Sequence, residues 1–341
     1  MAQTQVKGVI VRGISTCVPR NVTGSAEDEE RFSSEEVLRV VKMAGVKERR
    51  VVSAEICTSD LCLEAARRLL ERLQWPPETV DLLVFVTQTP DYFMPSTACV
   101  LQRKLNLSTG CAAFDVNLGC SGFPYGLCLV SRMLSGPGLK RALLLMGETP
   151  SKVCHPADRA TRLIFGDAGS AAAVEADPTG GSLGFVLHSD GQGADDFIVR
   201  AGAFRNRFTS EERQHYIEMN GANIFAFTMK RVPTLIADAL SLAGWTAAEV
   251  DYFAFHQANA FIIEHLRKKV YVPREKVPVV IDRFGNTGGR SVPLVLTQGG
   301  LQPPSDRPMK LMLLGFGVGL SWASATLELA PSTPRIHGEL G

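Results

Sequence analysis

No stretch of this 341-residue chain approaches eighteen uninterrupted apolar residues, so no membrane-spanning helix is expected. The first residues, MAQTQVKGVI, lack a charged segment followed by an apolar one, so no secretory leader is expected and a cytoplasmic protein is. An excess of charge of one sign is missing too. Lys plus Arg number 36 against 35 Asp plus Glu, and a net charge of +1 offers no global field for nucleic acid or an acidic membrane surface. The eight cysteines (17, 57, 62, 99, 111, 120, 128 and 154) include no CxxC pair and no Cys/His spacing typical of zinc, and disulfides are not expected without a leader. What remains is an ordinary globular composition, 45% hydrophobic and 21% charged, long enough for two cores or one large double domain.

The chain is written twice. "WPPETVDLLVFVTQT" from Trp75 and "WTAAEVDYFAFHQAN" from Trp245 align Val80 with Val250, Asp81 with Asp251 and Phe85 with Phe255. Each copy follows a stretch of helical periodicity, 61–73 and 234–243, and runs into an apolar strand. "LLLMG" at 143–147 is echoed by "LMLLG" at 311–315, and "FGDAGSAAAVE" by "FGVGLSWASATLE". Two copies of one α/β unit, 1–175 and 176–341, are therefore expected to pack in layers.

Three places carry candidate chemistry. In "NLGCSGF", Cys120 stands between two glycines where residues 112–116, read as a buried strand, give way to helical periodicity. A helix N-terminus favours thiolate over thiol and holds an oxyanion beside the sulfur, which is how a nucleophile is built; a small core cysteine has the same spacing. Where the first copy has Val86-Thr87-Gln88-Thr89, the second has His256-Gln257-Ala258-Asn259, which puts polar groups at a strand end, where α/β proteins place reactive residues. The third is Asn286 in the glycine-rich turn "RFGNTGGRSVPLVL".

Together with "GVKERR" (45–50), "PSTAC" (95–99), "DRATRLIFGDAGSAA" and "GFGVGLSWASA", these residues resemble the thiolase-superfamily condensing enzymes, most closely the β-ketoacyl-acyl carrier protein synthase III group, over nearly the whole chain. The resemblance implies an α/β fold of the duplicated, five-layered α/β/α/β/α type, a homodimer, and an acyltransferase that condenses a Cys120-bound acyl group with a malonyl-type thioester to a 3-oxoacyl product. It implies Cys120 as nucleophile, His256 and Asn286 as two N–H donors to the enolate, and an oxyanion hole from the backbone N–H groups of Cys120 and Val318. Substrate contacts are implied for Arg159, Asn259, Met94, Ile164, Phe165 and Gly221. No metal or redox cofactor is implied; coenzyme A or acyl carrier protein thioesters are the substrates and partners.

The chain departs from the family at several of these places. Val318 stands where the family usually has glycine, and the stretch "SSEEVLRVVKMAG" lacks the tryptophan that with Arg159 would clamp the coenzyme A adenine. Phe261 replaces an arginine common two residues after "HQAN", although the basic run Arg267, Lys268, Lys269 follows, as a docking surface or a solvated face. Arg290 replaces a small residue and either binds an anionic group of an unusual substrate or is paired internally. Met94 stands where short-chain initiators carry a phenylalanine that crosses the dimer interface, which implies acyl groups longer than acetyl. These departures suggest a specialised paralogue. The alternatives are acyl transfer from Cys120 to an alcohol or amine, with His256 as base, and a non-catalytic partner subunit.

Overall fold

The computed structural model describes residues 2–24, 28 and 30–341. Its strands run β1 (Ala2–Val6), β2 (Val9–Pro19), β3 (Val22–Gly24), β4 (Glu48–Arg50), β5 (Leu82–Val86), β6 (Ala112–Val116), β7 (Arg141–Glu148), β8 (Ala168–Ala176), β9 (Leu183–Ser189), β10 (Phe197–Ile198), β11 (Glu218–Met219), β12 (Tyr252–Phe255), β13 (Met309–Gly317), β14 (Ser321–Leu329) and β15 (Arg335–Leu340). Two large sheets form, with strand orders β15-β2-β8-β7-β5-β6 and β1-β9-β14-β13-β12; β3–β4 and β10–β11 are small separate pairs.

Four consecutive strands of the two orders correspond, β2-β8-β7-β5 and β9-β14-β13-β12, and the repeated residues do the same work in each. Asp81 accepts from the backbone N–H of Lys140 and Arg141 at the entry of β7, and Asp251 accepts from Lys310 N–H at the entry of β13. The Arg141 guanidinium lies 4.7 Å from the Trp75 ring centre and the Lys310 ammonium 5.1 Å from that of Trp245. In both copies the Trp and Asp tie one strand to its parallel neighbour, β5 to β7 and β12 to β13. The terminal strands, by contrast, are exchanged: β1 joins the sheet of the second half and β15 that of the first.

The long helices are α1 (Ser34–Ala44), α2 (Thr58–Leu73), α3 (Thr97–Lys104), α4 (Gly122–Leu134), α5 (Gly221–Ala243), α6 (Ala260–Lys269) and α7 (Ser291–Gln298). Helices α4 and α7 each contact both sheets and form the middle layer, while α2 covers one outer face and α5 the other, which makes the expected five layers. Phe123, Leu127, Val130 and Leu134 recur on one face of α4 and are buried between the sheets. Burying each stabilises the fold by about 1.5–3 kcal/mol.

Residues 112–116 depart from expectation. The stretch is not a buried strand but the edge of its sheet, paired among the described residues only with β5, with Ala112 exposed and the rest half-buried. Ala112, Ala113 and Val116 suit a buried interior and an uncovered edge alike, so these residues could not separate the two.

Candidate active site

Cys120 lies in the corner between β6 and α4 and is 6% exposed. Ser121 at the helix N-cap makes no capping bond; its hydroxyl instead meets Ser321 Oγ at 2.6 Å, joining the two halves. The backbone N–H groups of Cys120 and Val318 both act to lower the pKa of the Cys120 thiol. Positive φ in the Val318 loop falls on Gly317 (154°) and Gly319 (137°), so the valine keeps ordinary backbone and still presents its N–H.

Burial opposes the thiolate expected from the helix N-terminus. Burial, with the Glu148 carboxylate adding to it, pushes the Cys120 thiol up to about 12, against the two N–H groups and Arg290, which pull it down. Desolvation of a fully enclosed sulfur outweighs half a charge at a helix end.

His256 follows β12 and is 2% exposed. Its Nδ1 lies 2.9 Å from both the Gly288 carbonyl oxygen and Ser291 Oγ, while Ser291 Oγ accepts from Gln257 N–H at 2.9 Å and donates to that same carbonyl at 2.6 Å. The carbonyl can only accept, so Nδ1 carries the proton and donates, and Nε2 is left as a lone pair. Burial holds the ring neutral, with its pKa lowered to about 3. The neutral imidazole therefore offers a proton acceptor, not the second N–H donor that the resemblance implied.

Asn286 is fixed on both sides. Its N–H donates to the Ile164 carbonyl at 2.8 Å, its carbonyl accepts from Gly166 N–H at 3.1 Å, and its side-chain oxygen accepts from Gly288 N–H at 2.9 Å. The amide NH2 group is its remaining donor. Gly288, at φ +63, thus holds both polar side chains, one by its carbonyl and one by its N–H.

Cys120, His256 and Asn286 line one narrow cavity, and so do Ile164, Phe165, Asn259 and Gly221. Asn259 has a further task, since its side chain caps α6 by accepting from Ile262 N–H at 2.7 Å. Two anticipated residues are elsewhere. Arg159 is outside the cavity lining, its guanidinium more than half exposed and paired with Glu36, which itself belongs to the capping box of α1. Met94 is 76% exposed on the surface. A larger groove of about 500 Å³ lined by Arg67, Trp75 and Lys104 contains none of the residues around Cys120.

Sequence reasoning missed Ser291 and Gly288, which orient the polar pair, and Phe197, Met219, Ile224, Thr228 and Phe316, which also line the cavity. Position within "GNTGGRS" was the one signal for the first two. Of the two readings left open for Arg290, internal pairing holds: the side chain is fully buried and pairs with Glu148 at the end of β7. In the basic run, Arg267 and Lys268 pair with Glu264, and Lys269 donates to the Met229 carbonyl at 2.8 Å.

Comparison with known proteins adds an independent line. Residues 114–191 match the family model of 3-oxoacyl-[acyl-carrier-protein] synthase III, and residues 240–329 match that of its C-terminal part. A β-ketoacyl-[acyl-carrier-protein] synthase III of Caldanaerobacter subterraneus is 35% identical over 85% of this chain and 88% of its own. The crystal structure of a 3-oxoacyl-(acyl-carrier protein) synthase from Burkholderia xenovorans LB400 superposes with a TM-score of 0.95, at 39% identity, covering 99% of both chains. The priming β-ketosynthase of the R1128 polyketide biosynthetic pathway superposes at 0.85, with 25% identity over 96% of this chain and 98% of its own.

Proposed function

The chain belongs to the β-ketoacyl-acyl carrier protein synthase III family of condensing acyltransferases, and from that premise we propose how its own residues carry out the condensation. Cys120 Sγ attacks the carbonyl carbon of an acyl thioester. Its proton passes to His256 Nε2 and on to the departing thiol sulfur, while the tetrahedral oxyanion rests on the N–H groups of Cys120 and Val318. A malonyl thioester then loses CO2; the electron pair moves onto its thioester oxygen, where the Asn286 NH2 group donates to it. The enolate carbon attacks the acyl-Cys120 carbonyl, the C–S bond breaks, and the thiolate recovers a proton from water.

The observation that supports this reading is the shared hold of Gly288 on His256 Nδ1 and Asn286 Oδ1, which leaves Nε2 and the amide NH2 free on two side chains that line the cavity together with Cys120. Transfer to an alcohol or amine would use the base but leave Asn286 idle, and a scaffold subunit would need none of the three. Residues 1–175, supplying Cys120, and 176–341, supplying His256 and Asn286, are on this reading the two halves of a duplicated unit. Coenzyme A or acyl carrier protein delivers the thioesters in the cytoplasm, with Arg159 and Gly221 on the path of the carrier and Asn259 beside it, and no metal takes part.

A homodimer completes the proposal. Among the described residues strand β6 has an open edge, and Tyr92, Phe93 and Met94 are each more than half exposed, as a surface made to meet a second copy would be. Intact-protein mass spectrometry after incubation with a panel of acyl thioesters tests the first step, and CO2 release from a malonyl thioester the second. Acylation without any CO2 release would favour the transfer reaction instead.

A further inference from the structure

Outside the cavity lining lies a buried ion pair that the condensation does not use. Arg290, in the 288–290 turn, is fully buried and donates through Nη1 to Glu148 Oε2 at the end of β7, 142 residues away in the chain. The pair is poorly satisfied: Arg290 Nε and Nη2 and Glu148 Oε1 have no partner among the described residues. As a stabilising device this is a weak choice, because two desolvated charges joined at one point recover little of their hydration.

Its position explains it better. A Cβ on Gly288 would lie 2.7 Å from Arg290 Nη1 and 2.8 Å from Glu148 Oε2, so the pair presses on the back of the residue whose carbonyl and N–H hold His256 and Asn286. A Cβ on the next residue, Gly289, would meet the Gly119 carbonyl oxygen at 2.6 Å, so the same turn abuts the Cys120 corner. The two charges act on Cys120 in opposite senses, Glu148 raising its thiol and Arg290 lowering it; Arg290 also lowers His256, Cys62 and Asp167.

We propose that Arg290 and Glu148 are positioning residues: together they clamp the 288–290 turn so that Gly288 aims His256 and Asn286, and their balanced charges keep a net field off Cys120. The inference rests on the reading that Cys120, His256 and Asn286 are the reacting set. The clamp joins the two halves at their shared site, which no residue within one half could do.

The test uses the full-length protein and its Glu148→Gln, Arg290→Met and double variants. Iodoacetamide alkylation of Cys120 is followed by peptide mass at fixed pH. Removing Glu148 leaves Arg290 uncompensated, and alkylation is expected to become about tenfold faster; removing Arg290 is expected to slow it about tenfold, and the double variant to return toward the parent. Loosened packing alone would speed both single variants, and that result, or no change in either, overturns the charge balance. In the double variant, kcat for malonyl thioester decarboxylation is expected to fall at least about tenfold with KM within about threefold, since the clamp is gone while binding groups remain. A parent-like kcat overturns the clamp. Should a variant not fold, Arg290→Lys carries the test, with alkylation at the parent rate and decarboxylation reduced; a parent-like decarboxylation rate there is again fatal. Acylation of the parent by thioesters is scored separately, so failure of Cys120 as the acyl acceptor is told apart from failure of the clamp.

Discussion

Gly317 backs directly onto Cys120: a Cβ on the glycine would lie 2.7 Å from the cysteine sulfur and 2.9 Å from its Cβ. The loop that carries Val318 can approach Cys120 this closely only without a side chain at 317. Gly317→Ala is therefore expected to push the sulfur or the loop away and to slow Cys120 acylation about 100-fold, the usual cost of a lost oxyanion donor. Val318→Gly keeps the N–H and is expected to stay within about threefold of the parent. Rates of acyl-enzyme formation by mass spectrometry decide, and a harmless Gly317→Ala would remove this loop from the oxyanion hole.

Asn286 and His256 are expected to fail differently. Asn286→Ala loses the donor to the enolate oxygen, so decarboxylation drops about 100-fold to 1000-fold while Cys120 acylation stays within a few-fold. His256→Ala loses the proton acceptor and slows acylation as well, by about 100-fold or more. If acylation is untouched in His256→Ala, the assignment of Nε2 as the acceptor is wrong.

The pH dependence follows from burial. With its pKa lowered to about 3, His256 keeps its lone pair well below neutrality, so acylation is expected to stay level as pH falls from about 7 to about 5. With the Cys120 thiol raised to about 12, the thiolate fraction climbs with pH, and iodoacetamide alkylation of Cys120 is expected to rise about tenfold per unit beyond about pH 9 without levelling. An acylation break near the ordinary histidine value of 6.5 would mean that the ring is hydrated. A plateau in alkylation by about pH 8 would mean that the thiol is not desolvated.

Met94 tests the dimer and the acyl tunnel together. It is 76% exposed and does not line the Cys120 cavity of its own chain, so it can influence chain length only by entering a second copy. The parent is expected to prefer medium-chain thioesters, because an unbranched thioether moves aside where a ring does not, and Met94→Phe to shift that preference to acetyl. Acylation rates from acetyl to decanoyl thioesters, measured beside the mass in solution, give the answer. A monomer, or a profile unmoved by the substitution, would rule Met94 out.

Much of the fold was legible because its signals are short-range. The Trp-Val-Asp-Phe repeat marks strand entries, and its Asp and Trp make equivalent bonds and ring contacts in both halves. Glycines around Cys120 mark a strand-to-helix corner, and the corner is there. The order of "NLGCSGF", "HQAN" and "GNTGGRS" was enough to nominate three residues that line one cavity.

The tertiary structure decided what depends on neighbours remote in the chain. The edge position of β6 and the exchange of β1 and β15 follow from which strand lies beside which, and local apolar pattern is blind to that. The protonation of Cys120 and His256 is set by desolvation, which exists only once the sheets close over them. Arg290 is the plainest case: read along the chain it is an unexplained charge in a glycine turn, and only the packing of one half against the other supplies Glu148. Backbone pattern is written residue by residue, whereas burial and charge pairing are sums over a whole surrounding that no window of sequence contains.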